Sequence, residues 1–355
     1  MATQGIETPV EVATASEAAA PTEAFEGTSG APSTTTPPAP TRRWRWRTVL
    51  AIPAAVAISL AVHYFLPTQH PPSETSYYPS LLLAILAVGV VAAIVQAFWN
   101  PLRRQMRDKA PILAAAIFTV CAWQLVTVKF FLLPLPYFPG PEAIIQSLVG
   151  DRKLLFDATW HSLFLLVEGY LLGVAMGLIS GVSIGWSRNV RYWGMPLLKV
   201  VGPIPATALV PLAMVLFSGA GSAVALIAVA VWFPVTMLTA SGVSNVRASL
   251  LDVARTLGAG RLFLIFRVAI PAAMPSIFIG LFMGLGSSFL TLIVAEQVGV
   301  KSGLGWYVSW AQGWAEYGKV FAALVIMSAF FSTIMTLLFK VRDRVLVWQK
   351  GVIKW

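Results

Sequence analysis

Long apolar runs constrain this chain more than any other feature of its sequence. Each run is close to the roughly 20 residues that an α-helix needs to cross a bilayer. Only 11% of the 355 residues are charged, well below the share in soluble domains. Lipid cannot satisfy open backbone groups, and the runs lack the two-residue alternation of a β-barrel, so the spans are predicted to be helices. The sequence therefore predicts an all-α polytopic membrane protein.

The apolar runs predict about eight transmembrane helices. They are 49–66, 80–99, 110–133, 160–186, 194–217, 222–240, 276–297 and 320–339. We expect two N-terminal helices within 42–109, a six-helix core at 110–340 and a basic C-terminal tail at 341–355. With both termini in the cytoplasm, twenty of the 25 lysines and arginines fall on the cytoplasmic side, as the positive-inside rule requires.

The first 41 residues have a different composition. Segment 1–41 contains five glutamates and no lysine or arginine, and alanine, threonine, proline, serine and glycine dominate it. It has too little apolar content to offset the entropy cost of ordering, so we expect a disordered acidic cytoplasmic tail. It is not a secretory signal, because the first apolar run begins only after a cluster of arginines.

Several kinds of function are disfavoured by composition. The single cysteine, Cys121, excludes an intrachain disulfide and a cysteine-based zinc site. The three histidines are scattered, so no metal site is predicted. The net charge of +10 comes from clusters that flank the apolar runs, which indicates membrane orientation and not nucleic-acid binding. No catalytic residue and no cofactor site are predicted in this chain, because no nucleophile–base pair or nucleotide-binding loop is visible.

The cytoplasmic loop 241–275 carries its own helix signals. Ser244 or Asn245 is expected to cap a short amphipathic helix. Apolar residues then recur at helical spacing, at Leu250, Leu251, Ala254 and Leu257. Gly258 is predicted to end this helix, and a second helical stretch is predicted to end at Pro271. Taken alone, the hairpin is either a connection between two spans or a docking site for a partner.

The same loop carries a family resemblance. Segment 252–258, Asp-Val-Ala-Arg-Thr-Leu-Gly, and segment 268–275, Val-Ala-Ile-Pro-Ala-Ala-Met-Pro, resemble the EAA motif of permease subunits of ATP-binding-cassette (ABC) importers. The family pattern is Glu-Ala-Ala, three residues and Gly, followed later by an aliphatic residue, any residue and Leu-Pro. The matching positions are Ala254, Gly258 and Pro271. The conservative departures are Asp252, Val253 and Ile270.

The resemblance extends over about 110–339. Gly-Pro-Ile-Pro-Ala at 202–206 is similar to the proline-rich third core span of the nitrate, sulfonate, taurine and bicarbonate branch. Val-Ala-Glu at 294–296 and Ser-Gly-Leu-Gly at 302–305 are similar to its fifth core span and the loop that follows. Leu165 departs from the arginine that this branch usually has. The two N-terminal spans have no counterpart in the usual six-helix core.

The resemblance implies a function and partners. It implies a permease subunit of the bacterial inner membrane that imports a small anion such as a sulfonate, taurine, nitrate or bicarbonate by alternating access. Implied partners are cytosolic ABC ATPases that hold ATP and magnesium, a periplasmic or extracellular substrate-binding protein, and a second permease copy. The short loop helix would couple to the ATPase through Leu251, Asp252, Ala254, Arg255, Thr256, Leu257, Gly258, Ala259 and Pro271. The alternative function is an ion-coupled secondary transporter or channel.

A few residues within the spans are candidates for the translocation path. They are Gly202, Pro203, Ile204, Pro205, Pro211, Glu168 and Glu296. Prolines interrupt backbone hydrogen bonds. The irregular helix that results could either line a cavity or form a kink that is needed only for packing. Buried carboxylates are costly in a membrane. Glu168 could be protonated, paired between helices or in contact with substrate, and Glu296 could reach outer water or act as a structural pin. By contrast, the glycines at 169, 173 and 177 predict close helix packing.

Overall fold

A computed structural model describes residues 51–67, 76–98, 100–130, 132–134 and 136–349. The predicted acidic tail at 1–41, the arginine cluster that follows it and the last residues of the basic tail lie outside the described residues. Helices account for nearly all of the described chain, and no strand occurs within those ranges. The all-α prediction is confirmed.

The α-helices are numbered in chain order. They are α1 Ala51–Phe65, α2 Tyr77–Phe98, α3 Asn100–Gln124, α4 Pro141–Gly150, α5 Arg152–Trp186, α6 Arg188–Val201, α7 Val210–Leu216, α8 Ala220–Ser244, α9 Ala248–Thr256, α10 Arg261–Phe263, α11 Ile270–Gly299, α12 Leu304–Gly313 and α13 Tyr317–Val345. A π-helical turn, Leu125–Lys129, follows α3, and a second, Leu264–Ala269, joins α10 to α11. A 3₁₀ turn, Ala206–Leu209, precedes α7.

Six helical stretches in the described chain are long and apolar enough to cross a membrane. They are Tyr77–Val95, Lys109–Lys129, Arg152–Trp186, Ala220–Ser244, Arg261–Gly299 and Tyr317–Val345. The described part of α1 is apolar but shorter, at 15 residues. The predicted span 194–217 is not one straight helix, because α6 and α7 meet at 82°. Pro203 and Pro205 fall at this break, where they cannot donate backbone hydrogen bonds.

A row of glycines packs α5 directly onto α8. The glycines are Gly169, Gly173, Gly177, Gly181 and Gly185, and they face Ile227, Val231, Val235, Thr239 and Val243 of α8. A Cβ added at any of these glycines would lie 2.5–2.7 Å from an atom of α8. The two backbones therefore approach closely over more than four helical turns. The packing interpretation is confirmed, and Gly181 and Gly185 extend the row beyond the three glycines singled out from the sequence.

The central apolar cluster joins α5, α7, α8 and α11. Its most buried members include Leu166 of α5, Ile227 and Val231 of α8, and Leu292 of α11. Gly280 of α11 lies against Pro234, Val235 and Leu238 of α8, and Gly284 of α11 lies against Val231 and Val235. Helix α8 thus packs closely against both α5 and α11.

The N-terminal helices form a separate cluster on α3. Ile52, Val56, Tyr78, Leu82 and Ala110 make up its buried part. At the end of α1, the buried Lys129 Nζ donates to the carbonyl oxygens of His63 and Leu66, at 2.7 and 2.5 Å. A cation at a helix C-terminus compensates the orphaned carbonyls there. Lys129 thereby fastens α1 to the end of α3.

Candidate coupling and transport sites

A Schellman motif ends α9 in the predicted cytoplasmic loop. The backbone N–H of Ala259 donates to the oxygen of Ala254 at 3.0 Å, and the N–H of Gly258 donates to the oxygen of Arg255 at 2.9 Å. Gly258 has a φ of +80°, a conformation that glycine adopts without the steric cost of a side chain. The prediction that Gly258 ends this helix is confirmed, and the motif fixes the geometry of the turn.

The predicted start of α9 is wrong. Helix α8 continues through Ser244, whose hydroxyl donates to the oxygen of Ala240 at 2.7 Å. Asn245 follows as the C-terminal cap of α8, and Arg247 stands at the N-cap of α9 without a side-chain cap. A serine hydroxyl can bond back into its own helix as readily as it can cap the next one, and this ambiguity misplaced the boundary.

The prediction that Pro271 ends the second helix is also wrong. Pro271 lies in the first turn of α11, which continues to Gly299. The preceding turn, Leu264–Ala269, is π-helical, so its backbone hydrogen bonds join residues five apart, not four as in an α-helix. Proline is tolerated where a new helical register begins, because its missing N–H is not needed there. The hairpin is therefore α9, a turn and one long helix that enters the bundle.

Helix α9 exposes an apolar row that faces away from the bundle. Leu250, Val253 and Leu257 form the row, and Val253 and Leu257 are 62% and 83% exposed. Leu251 and Ala254 are partly buried. Asp252 and Arg255 pair at 2.9 Å on the exposed surface. The sequence grouped Leu250, Leu251, Ala254 and Leu257 on one face, whereas the outward face also contains Val253, which went unrecognised.

Glu296 is fully buried, at 0% exposure, between α5, α11 and α12. Its Oε1 accepts a hydrogen bond from the Ser162 hydroxyl at 2.6 Å, and its Oε2 accepts one from the N–H of Gly305 at 2.7 Å. The Ser162 oxygen also accepts a hydrogen bond from the N–H of Leu304 at 2.9 Å. Both oxygens are engaged within the protein, so the structure favours a structural pin over a carboxylate that reaches outer water.

The Glu296 side chain has room because two neighbouring residues are glycines without a Cβ atom. Gly303 has a φ of +107°, and a Cβ there would lie 2.3 Å from Glu296 Oε1. At Gly305 a Cβ would lie 2.5 Å from the Ile293 oxygen and 2.8 Å from the Glu296 Cβ. The Ser-Gly-Leu-Gly segment therefore folds tightly around the carboxylate. Together, Glu296 and Ser162 satisfy the first backbone donors of α12, where a negative charge is favoured.

A second polar cluster fixes the start of α5, and no local sequence signal indicates it. The Tyr307 hydroxyl of α12 donates to Asp151 Oδ2 at 2.7 Å. Lys319 of α13 lies 2.7 Å from Glu316 and 3.5 Å from Asp151. Burial, and then the hydrogen bond to Asp151, raise the pKa of Tyr307 above its ordinary value. The hydroxyl stays protonated and keeps donating at physiological pH.

The proline-rich break between α6 and α7 lies on the surface of the single chain. Pro203, Ile204, Pro205 and Pro211 are exposed. Gly202 lies against the Phe233 ring of α8, where a Cβ would come within 2.2 Å of the ring. The break is therefore held from one side by α8 and open on the other. Backbone of this kind is tolerated at membrane depth where protein or a water-filled cavity covers it.

Glu168 lies on the side of α5 that faces away from the glycine row. Its side chain is exposed, and exposed apolar residues surround it on the helix, including Phe164, Leu171 and Leu172. Within the described residues, no hydrogen bond or ion pair joins Glu168 to another group. Pairing between helices of one chain is thus not what the structure shows. Glu168 is exposed whereas Glu296 is buried against Ser162, so the structure does not join the two carboxylates in one site.

Known proteins are similar in sequence to this chain over its helical core. The family model described as "Binding-protein-dependent transport system inner membrane component" matches residues 170–346. A probable ABC transporter permease protein of Haemophilus influenzae is 32% identical, covering 63% of this chain and 91% of that protein. The putative aliphatic sulfonates transport permease protein SsuC of Bacillus subtilis is 32% identical, covering 62% and 80% of the two chains.

Two further comparisons extend this picture. The taurine transport system permease protein TauC of Escherichia coli is 30% identical, covering 64% of this chain and 84% of that protein. Among solved structures, an inward-facing form of the MetNI methionine ABC transporter covers 55% of this chain and 98% of its own, at 17% identity and a TM-score of 0.48; that similarity is too low to carry an argument. The sequence relatives suffice: the chain belongs to the family of binding-protein-dependent transport system inner membrane components and is the permease subunit of an ABC importer.

Proposed function

We propose that this permease imports a small anion, with sulfonates and taurine as the first candidates. The support is the similarity to SsuC and TauC, whose names specify aliphatic sulfonates and taurine. Nitrate and bicarbonate fit the same proposal by charge and size. The permease works with a substrate-binding protein that delivers the anion from outside, and it resides in the bacterial inner membrane with both termini in the cytoplasm.

In this proposal α9 is the coupling helix for a separate ATPase that holds ATP and magnesium. The single observation that carries it is the exposed row Leu250, Val253 and Leu257 on a short helix whose end is fixed by the Schellman motif at Gly258. An apolar row at this spacing fits a groove on a partner. The contact surface also includes six further residues of the loop: Leu251, Asp252, Ala254, Arg255, Thr256 and Ala259. Pro271 belongs to the start of α11, behind this surface.

A rigid connection lets α9 act as a lever. The chain passes from the turn after Gly258 into α10, the π-helical turn and α11 without a flexible linker. Helix α11 packs along α8 and holds Glu296 near its far end. A movement of the ATPase would therefore be transmitted as a rigid-body shift of the bundle, the kind of motion that alternating access needs.

We further propose that two copies of this permease enclose the translocation path. The exposed break at Gly202, Pro203, Ile204, Pro205 and Pro211 and the exposed Glu168 of α5 are the candidate lining residues in such a homodimer. The irregular backbone of the break would then be covered by the second copy or would face the aqueous path. Glu296 is outside this lining, because its hydrogen bonds are satisfied within one chain.

The turn at Gly258 offers a test with a matched control. Gly258 and Gly260 both have open space at the Cβ position, but Gly258 has a φ of +80° and Gly260 a φ of −73°. Gly258→Ala therefore strains the Schellman turn, whereas Gly260→Ala fits. The measurement is co-purification of ABC ATPases and ATP-dependent uptake of labelled taurine by cells that express each variant.

We expect Gly258→Ala to lose ATPase and uptake together, while Gly260→Ala retains both. The proposal is overturned if both variants retain the ATPase equally. It is also overturned if uptake proceeds without any ATPase and follows a proton or sodium gradient, which would point to an ion-coupled transporter. Absence of taurine uptake by the wild type, with the ATPase bound normally, would leave the coupling site intact and reject only taurine as the substrate.

A further inference from the structure

Helix α6 lies antiparallel along α8 and ends beside its middle. Near the start of α6, Arg191 donates to the Gly185 oxygen at 2.6 Å and to the hydroxyl of Ser244 at the end of α8. Eleven residues later, Gly202 lies against the ring of Phe233, which is eleven residues before Ser244. Eleven helical residues span about 16 Å, roughly half of a hydrocarbon core. Because α8 is long and apolar enough to cross the membrane, the break after α6 lies near its middle depth.

Lys199 is therefore a lysine within the membrane. It follows Arg191 by eight residues, so its backbone lies about 12 Å deeper along α8. The preceding residue, Leu198, is buried in a cluster with Ile184 and Ala240, which holds this part of α6 on the bundle. A lysine can carry its ammonium towards water only by the length of its stem, and that length is shorter than the distance back to Arg191. The ammonium thus stays at membrane depth.

Lys199 has no partner for its charge in the part of the chain that the structure describes. Its side chain is exposed, and neither a hydrogen bond nor an ion pair joins it to another described group. No Asp or Glu occurs between Glu168 and Asp252 in the sequence. Glu168 itself adjoins Gly169, which packs on Ile227 in the other half of α8. Because an unpaired charge against lipid is costly, the ammonium must face water or a counter-charge from outside the chain.

The two exposed flanks of α6 differ in chemistry. One flank adjoins α5, because a Cβ at Gly194 would lie 2.9 Å from the side chain of Ile184. The exposed apolar residues Trp193 and Leu197, at 77% and 58% exposure, lie on this flank. Successive residues of a helix are about 100° apart, which places Lys199 about 140° from Gly194 and about 160° from Leu197. Lipid suits the apolar flank, whereas the flank with Lys199 needs water.

We propose that Lys199 lines the water-filled translocation path and binds the oxyanion group of the substrate, such as a sulfonate, as it passes the break at Gly202. This inference rests on the proposed function and names the residue that attracts the anion. Lys199 precedes Gly202 by three residues, so it stands one helical turn from the irregular backbone. Its ammonium offers three hydrogen-bond donors and no acceptor, and hydrogen bonds from a cation to an oxyanion are the stronger kind. Glu168, the other charged candidate for the path, has the wrong sign for this role.

The first experiment compares the exposure of the two flanks of α6 to water. The full-length chain with Cys121→Ala carries either Lys199→Cys or Leu197→Cys and is placed in nanodiscs with its co-purified ATPase. The reagent is sulfonatoethyl methanethiosulfonate, a water-soluble thiol reagent that itself bears a sulfonate, and labelling rates are measured with and without ATP. Leu197 lies nearer the start of α6 than Lys199 does, so depth alone would favour labelling at Leu197→Cys.

We expect Lys199→Cys to be labelled at least about tenfold faster than Leu197→Cys, because the reactive thiolate forms in water and is suppressed in lipid. Equal rates, or faster labelling of Leu197→Cys, would overturn the proposal. This comparison needs no transported substrate, so it can fail or succeed independently of the proposed function.

The second experiment measures what the charge contributes to transport. Initial rates of ATP-dependent uptake of labelled taurine or an aliphatic sulfonate are compared for the wild type and for variants in liposomes with the ATPase and the binding protein. We expect Lys199→Gln to lower the rate at least about tenfold, the contribution of a hydrogen bond to a charged group, and to retain the ATPase. Lys199→Arg should recover most of the rate. Lys340→Gln, which removes an exposed charge of α13, should match the wild type.

Two results of this experiment would overturn the proposal. Uptake by Lys199→Gln at the rate of Lys340→Gln would show that the ammonium does not act on the substrate. Recovery of uptake in Lys199→Gln/Glu168→Gln would show that Lys199 pairs with Glu168 of the second copy and not with the transported anion.

Discussion

The hydroxyl of Ser162 donates to the carboxylate of Glu296 at 2.6 Å, although 134 residues separate the two in the sequence. This bond links α5 to α11, and the same two side chains accept the first N–H groups of α12. Three helices therefore share one buried polar junction. Such a junction is stable only when every member is satisfied, so each partner is sensitive to substitution.

Two substitutions at Glu296 should distinguish the contribution of its hydrogen bonds to stability from the contribution of its charge. In Glu296→Ala the N–H of Gly305 loses its acceptor, and an unsatisfied buried donor costs about 1–3 kcal/mol. Glu296→Gln keeps an acceptor for Gly305, and its amide can donate to Ser162, so a smaller loss is expected. Unfolding of the purified permease in detergent measures both variants. Equal stability of Glu296→Ala and the wild type would contradict the junction.

Gly303 should tolerate no side chain. Gly303→Ala combines a φ of +107° with a Cβ 2.3 Å from Glu296 Oε1, and we expect a loss of about 2–4 kcal/mol in the free energy of unfolding. Gly313, at the end of the same helix, has open space and serves as the control. Gly313→Ala should unfold at the wild-type temperature. If the two variants behave alike, the close contact between Gly303 and Glu296 does not exist in the folded protein.

The sequence was most informative where local chemistry decides the structure. The end of α9 at Gly258 follows from the conformational freedom of glycine alone, and the packing of Gly169, Gly173 and Gly177 follows from their spacing. The junction of Ser162 and Glu296 could not be predicted in the same way, because it depends on contacts between distant helices. Its position in an apolar span and the family resemblance both direct attention to Glu296, but neither identifies Ser162 as its partner.

A side chain added to the glycine row of α5 should destabilise its packing on α8. In Gly177→Ala the new Cβ would lie 2.7 Å from the Cβ of Val235, and we expect a loss of about 1–3 kcal/mol because the core cannot expand freely. The double variant Gly177→Ala/Val235→Gly should recover part of this loss, because removal of the Val235 side chain makes room for the new Cβ at position 177. Gly286→Ala in α11, where no atom lies within 4 Å of the added Cβ, is the helical control. Thermal unfolding that ranks Gly177→Ala with Gly286→Ala would rule out close packing.

The outward row of α9 should be needed for the partner and not for the fold. Leu257→Asp places a charge at an 83% exposed position, so the free energy of unfolding should change by less than about 0.5 kcal/mol. Binding of the ATPase should fall at least tenfold if Leu257 is buried on docking. Ala248→Asp puts the same charge on the opposite side of α9 and should bind normally. The measurement is the affinity of each variant for the surface-immobilised ATPase. Equal affinities for Leu257→Asp and Ala248→Asp would show that the outward row of α9 is not the docking surface.

The misplaced boundaries share one physical origin. Ser244 and Pro271 are residues whose effect depends on the register of the helix around them, and neither the continuation of α8 nor the π-helical turn before α11 has a local sequence signal. The outward position of Val253 was missed for a related reason. Periodicity groups apolar residues on one face, but it does not show which face the rest of the protein covers.

Transport by the reconstituted complex is the decisive test of whether this permease is driven by a separate ATPase. The permease, its co-purified ATPase and the substrate-binding protein are placed in liposomes, and uptake of labelled taurine or an aliphatic sulfonate is measured with ATP on the ATPase side and with ion gradients dissipated. We expect uptake that requires ATP, the binding protein and an intact α9, and that is lost in Leu257→Asp. Uptake that persists without ATP and stops when the proton or sodium gradient is removed would instead identify an ion-coupled transporter.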